Sequence, residues 1–159
     1  MVTAAQLSLD KLHALLEDYG LSLTLLAEGA EIPGSHWGAP EAGIIGREVL
    51  VRPDTPVHSL LHETAHVICM DAQRRDHLHT DAGGDDLEEC GVCYLQLLLG
   101  NELSDYSLTQ QFRDMDNWGY SYRLGSAQAW FERDAEDARQ WLLDQQLIDA
   151  KGRPQRRLR

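Results

Sequence analysis

The chain has 159 residues, 43% of them apolar and 25% charged, with a formal net charge of −12. Those values fit a single globular domain large enough to bury a core without staples, and no run of about 18 apolar residues is present to cross a membrane. The charge is uneven, +5 over residues 151–159 and −17 over the rest, and an acidic body repels phosphates, which argues against general nucleic-acid binding.

The N-terminus, Met1-Val2-Thr3-Ala4-Ala5-Gln6, lacks the basic start and unbroken apolar core of a signal peptide. Three cysteines, an odd number, do not suggest a disulfide framework. A cytoplasmic protein is expected. Residues 8–19 read as a helix capped by Ser8, with Leu9, Leu12, Leu15 and Leu16 as its apolar stripe. Leu21 to Ala27 reads as a strand, and the Gly- and Pro-rich stretch from Glu31 to Ala42 as a loop. Gly43 to Gly46 followed by Arg47 to Arg52 suggests a hairpin or two edge strands.

The next helix, expected over 56–71, carries the most informative residues. Asp54 or Thr55 is its expected cap. Val57, Leu61, Ala65, Ile68 and Ala72 recur at helical spacing as a buried stripe, and His58, His62, His66 and Met70 run along an adjacent face. His62-Glu63-Thr64-Ala65-His66 is an HExxH pattern. Two histidines four apart lie on one helix face and can share one ion, and the glutamate between them can reach a water on that ion as general base.

After a polar loop over 73–84, a second strong helix is expected over about 85–99, opened by Asp85 or Asp86 and closed by Gly100. A weaker helix follows at 107–117. Ser126 then opens a long charged helix to about Leu147, with Trp130, Trp141 and Leu142 as core contacts. The basic tail 151–159 reads as a disordered, solvated terminus after a single domain over 1–150. Helix, a few strands, then helices is the order of a small α+β domain.

A catalytic zinc site keeps three protein ligands and an open position. His58 is excluded as the third by distance, since eight helical residues span about 12 Å. Glu89 is favoured, because it lies on a partly apolar side of the second helix where a charge needs a partner. Glu88 has a weaker claim. The rival is Cys90 and Cys93, a CxxC pair that with His62 and His66 would build a closed structural site. His77, His79, Tyr94, Tyr120, Tyr122 and Arg123 are the candidates for stabilising an oxyanion, without a choice among them.

His62-Glu63-Thr64-Ala65-His66 and the segment from Glu89 to Leu99 together resemble the two helices of the ImmA/IrrE-like metallopeptidases, over about residues 42–100. Gly91, Cys93 and Gly100 depart from the family's usual residues. The resemblance implies a zincin-like α+β domain with a short antiparallel or mixed sheet, an HExxH active-site helix, a packed second ligand helix and a helical C-terminal part. It implies Zn²⁺ held by His62, His66 and Glu89, with Glu63 as general base toward a zinc-activated water. It also implies that Glu48–Arg52 is an edge strand pairing with an extended substrate. The expected function is hydrolysis of a peptide bond in a protein or peptide substrate, such as a regulator, with no nucleic-acid or membrane partner. The alternative is a structural or regulatory zinc protein, either with the closed histidine–cysteine site or as a degenerate protease acting by partner binding.

Overall fold

In a computed structural model, which describes residues 1–159, the HExxH helix is the most deeply buried element. This helix, α2, spans Val57–Cys69, and eleven of its thirteen residues are buried. The two that reach solvent are His62 and Glu63. Val57, Leu61, Ala65 and Ile68 form the expected core stripe at 0% exposure. Ala72 does not belong to it. It is exposed and begins a separate short helix, Ala72–Asp76, capped by Asp71 within what reads as loop in the sequence. The start of α2 also differs from expectation. Pro56 is the N-cap and no side chain caps the helix, because Thr55 accepts the Arg52 amide at 2.8 Å and Asp54 pairs with the Arg52 guanidinium.

In chain order α1 (Leu9–Glu17) is followed by strands β1 (Ser22–Leu25), β2 (Gly43–Ile45) and β3 (Glu48–Val51), then α2 and α3 (Ala72–Asp76). The remaining helices are α4 (Asp86–Asn101), α5 (Leu108–Trp118), α6 (Ala127–Arg133) and α7 (Glu136–Asp144). A single 3₁₀ turn, Ala4–Gln6, precedes α1. The protein is therefore α+β, with seven α-helices and one small mixed sheet. No helix is long and apolar enough to cross a membrane.

The sheet order is β1-β3-β2, parallel between β1 and β3 and antiparallel between β2 and β3. Ile45 and Glu48 pair across a two-residue turn in which Gly46 has φ +59°, a backbone that favours glycine at the first turn position of a hairpin. The hairpin is as expected, but Glu48–Val51 is not an edge strand. It is the central one, with both sides hydrogen-bonded. The outer side of β2 is met in turn by the Leu78–Thr80 segment, through Thr80 N to Ile44 O at 2.8 Å and Gly46 N to Leu78 O at 3.0 Å. Edge pairing with a substrate along β3 is thus closed off by the chain itself.

Two C-terminal expectations are corrected. The long helix from Ser126 to Leu147 is broken at Asp134 and Ala135, because its halves pack on different partners, α6 on α5 and α7 on α4. The basic tail is not a free terminus but is docked. Arg159 donates its amide to Ile68 O at 2.9 Å and its guanidinium to Glu88 at 2.8 Å, Arg75 holds the Arg159 carbonyl at 3.0 Å, and Arg156 pairs with Asp18 and Glu102. An acidic body supplies the counter-charges that give this segment somewhere to bind.

Candidate metal centre

The site lies where α2 packs on α4. Burying Leu60, Val67 and Ile68 of α2 with Val92, Leu95 and Leu99 of α4, all at 0% exposure, fixes the two helices against each other. Burial on this scale stabilises by roughly 2 kcal/mol per side chain. At this interface the helical period turns His62 and His66 of α2 toward Glu89, in the first turn of α4. Asp85 opens α4 by accepting the Glu88 amide at 2.8 Å, which sets where that first turn begins.

His62 Nε2 lies 3.1 Å from Glu89 Oε1, His66 Nε2 lies 3.2 Å from Glu89 Oε2, and the two Nε2 atoms are 3.1 Å apart. A tetrahedral ion with bonds of about 2.0–2.1 Å spaces its ligand atoms by about 3.3 Å. Each imidazole meets its own oxygen of the Glu89 carboxylate, and with one ligand atom taken from each residue the three all lie within 4.8 Å of one another, close enough to gather around one ion. This His62–His66–Glu89 group can hold a metal ion. Burial works against ionising Glu89, but the two imidazoles outweigh it and hold its carboxyl far below the usual range, so it is the carboxylate that ligation needs.

Gln96 completes the setting, and sequence reasoning missed it. Its side chain is buried at 1% exposure and its Oε1 accepts from His62 Nδ1 at 2.9 Å. That bond puts a proton on Nδ1 and turns Nε2 toward the group. The signal was present: Gln96 is a polar residue inside the apolar run Val92–Leu99, seven residues and about two helical turns after Glu89.

Glu63 makes no hydrogen bond to another side chain and sits among charged neighbours. Burial raises its pKa, opposed by His66 and His62 and reinforced by Glu89 and Glu41. A mostly buried carboxylate with a raised pKa, reaching solvent beside a group that can hold a metal ion, is suited to taking and returning a proton.

The competing candidates fall elsewhere. Glu88 is buried at 3% exposure and engaged by Arg74 at 2.5 Å and Arg159 at 2.8 Å, so it faces two arginines rather than the two imidazoles. Cys90 is exposed, and neither Cys90 nor Cys93 belongs to the donor group, although Cys93 Sγ lies 4.0 Å from Glu89 Oε1. The closed two-histidine, two-cysteine arrangement is not formed. His58 lies edge-on to Trp118 and Tyr120, 1% exposed, with neither ring nitrogen hydrogen-bonded.

Of the six oxyanion candidates, only Tyr120 packs on a ligand, its ring 5.7 Å from that of His62. Tyr122 and Arg123 line the adjoining cavity, and Arg123 is paired with Asp134. Tyr94 stacks on Phe131 in the core, His79 bridges to Ile45 beside the sheet, and His77 caps α3.

Gly91 and Gly100, two of the three departures noted in α4, have steric causes. A Cβ at Gly91 would stand 2.6 Å from the Trp141 ring of α7, and one at Gly100 would collide with the Gln111 amide of α5. Comparison with family models, with curated proteins and with solved structures gave no match.

Proposed function

We propose that this protein is a zinc-dependent metallopeptidase of the zincin type, acting on a peptide bond in a protein or peptide substrate. The observation that carries the reading is the convergence of His62 Nε2, His66 Nε2 and the Glu89 carboxylate within reach of one ion, with Glu63 beside them on the solvent-facing side of α2. The resemblance of both helices to the ImmA/IrrE-like metallopeptidases supports it.

His62, His66 and Glu89 hold the ion, and Gln96 orients His62. When bound, zinc supplies Lewis acidity, which polarises a carbonyl oxygen and acidifies water. Two histidines and one carboxylate are a donor set that would suit a catalytic zinc, which takes three protein ligands. Glu63 takes the proton from the attacking water on a carboxylate oxygen and returns it to the leaving amide nitrogen. Tyr120, whose ring packs on His62, is the donor assigned in this reading to the developing oxyanion.

The test is to incubate the protein carrying one equivalent of zinc with a pool of peptides from a digested proteome and to identify new termini by mass spectrometry. Cleavage is expected for the native protein, with Glu63→Gln retaining its zinc and losing at least about 100-fold in turnover. Undiminished cleavage by Glu63→Gln, or no zinc bound by the native protein, overturns the reading.

A further inference from the structure

A cavity of about 600 Å³ opens directly beside the metal-holding group, with Glu89 and Cys93 on its inner wall. Tyr120 connects the two spaces, because the same ring packs on His62 and lines the cavity. From there the wall continues as an aromatic series. Tyr120 stacks with Tyr122 at 6.4 Å and 27° between planes, and Tyr122 meets Trp130 at 5.5 Å and 33°. The Tyr122 hydroxyl is buried without a partner.

The charges around these rings are mostly of one sign. Asp86 at the start of α4 and Asp137 at the start of α7 stand at the cavity, exposed and in no ion pair. Asp134 is already neutralised by Arg123, the single cation of the lining. Apolar aromatic walls with unpaired carboxylates suit a long side chain that is apolar along its stem and cationic at its tip. A cation is held by ring faces and carboxylates together, and the stem covers apolar surface. An acidic or small side chain would gain neither.

We infer that this cavity is the specificity pocket of the peptidase and receives a lysine or arginine side chain of the substrate near the scissile bond. The inference rests on the peptidase reading for its meaning, but the pocket's preference is measurable without turnover. The net acidic surface acts in the same direction by drawing basic segments toward the site.

The experiment measures binding of acetyl-arginine amide and its neutral isostere acetyl-citrulline amide to the zinc-loaded Glu63→Gln protein, by amide chemical-shift titration. Arginine amide is expected to bind about tenfold tighter than citrulline amide, with the shifts centred on Tyr120, Tyr122 and Trp130. Asp86→Asn with Asp137→Asn is expected to bring the ratio close to one, with an unchanged unfolding midpoint showing that the fold survives. Equal affinities in the parent protein, no binding of either probe, or a preference that survives the double substitution each overturns the pocket. A retained arginine preference in a protein that cleaves no peptide sinks the peptidase reading while leaving the pocket in place. Cleavage without enrichment of Lys or Arg within two residues of the cut bonds does the reverse.

Discussion

Gln96 Oε1 accepts a hydrogen bond from His62 Nδ1 at 2.9 Å, from a residue 34 positions away in the chain and on the other ligand helix. One bond thus sets the tautomer of His62 and ties α4 to α2 beside the donor group. Such outer partners tune metal affinity nearly as strongly as they orient the ligand. Gln96→Leu, which keeps the volume in a site of 1% exposure, is expected to weaken zinc binding about 10- to 100-fold. A competition titration against a chromophoric chelator measures it, and an unchanged affinity would show that His62 needs no orienting partner.

Glu88 and Glu89 are adjacent in sequence and opposite in role. Glu89→Ala removes a donor whose side chain is 46% exposed, so zinc binding is expected to fall sharply while the metal-free protein keeps its stability. Glu88→Ala takes this carboxylate from Arg74 and Arg159, about 33% and 28% exposed, leaving Arg74 only its pairing with Asp71. The loss is expected to be about 2 kcal/mol, below that for a fully buried pair because both arginines reach water. Urea unfolding of the metal-free variants beside zinc stoichiometry separates the two; a Glu88 variant that loses its zinc at full stability would reverse the assignment.

Cys90→Ser with Cys93→Ser is expected to leave zinc stoichiometry at one, since neither thiol is among the donors. Loss of the metal from that double variant, with retention in Glu89→Ala, would restore the closed histidine–cysteine site.

His58 predicts a pH dependence of stability. Burial, opposed by Asp114 and assisted by His62, lowers its pKa from 6.5 to about 4. Between those values the unfolded chain binds a proton that the folded protein refuses, so stability falls as pH drops. This contribution is level above about pH 6.5, declines by about 3 kcal/mol down to about pH 4, and changes no further below it. His58→Phe, which fills the same site beside Trp118 and Tyr120, should flatten the profile of unfolding free energy over that window. A slope equal to that of the parent would remove His58 as its source.

Gly91→Ala tests the helix contact behind the site. Alanine favours an exposed helix interior by about 1 kcal/mol over glycine, but here its Cβ would press on the Trp141 ring at 2.6 Å. Overpacking of that kind costs about 1–3 kcal/mol, so a net destabilisation of about 1 kcal/mol is expected. A stabilised variant would mean that α7 yields freely.

Local pattern carried much of the site. The i, i+4 spacing of His62 and His66 is covalent arithmetic on a helix, and the apolar stripe Val57, Leu61, Ala65, Ile68 placed that helix in the core. Exclusion of His58 followed from helical rise alone. The rest depended on where distant segments arrive. Glu48–Val51 reads as an edge strand, because nothing in the hairpin reveals that β1 returns to pair on its far side. The basic tail reads as disordered, because its partners Asp18, Glu88 and Glu102 lie far away in sequence.

What the sequence determined by itself is the pair of histidines, the glutamate between them and the α+β class, since these rest on short-range periodicity. Only the tertiary structure showed where Glu88 and Glu89 point, the sequence merely favouring the second, because they are separated by about 100° around one helix. The docking of α4 on α2 turns one carboxylate to two imidazoles and the other to two arginines. It also brought Gln96 to His62 and opened the aromatic, acid-rimmed cavity beside them. A rotation of α4 depends on every side chain buried along it, so no local stretch of sequence could express it.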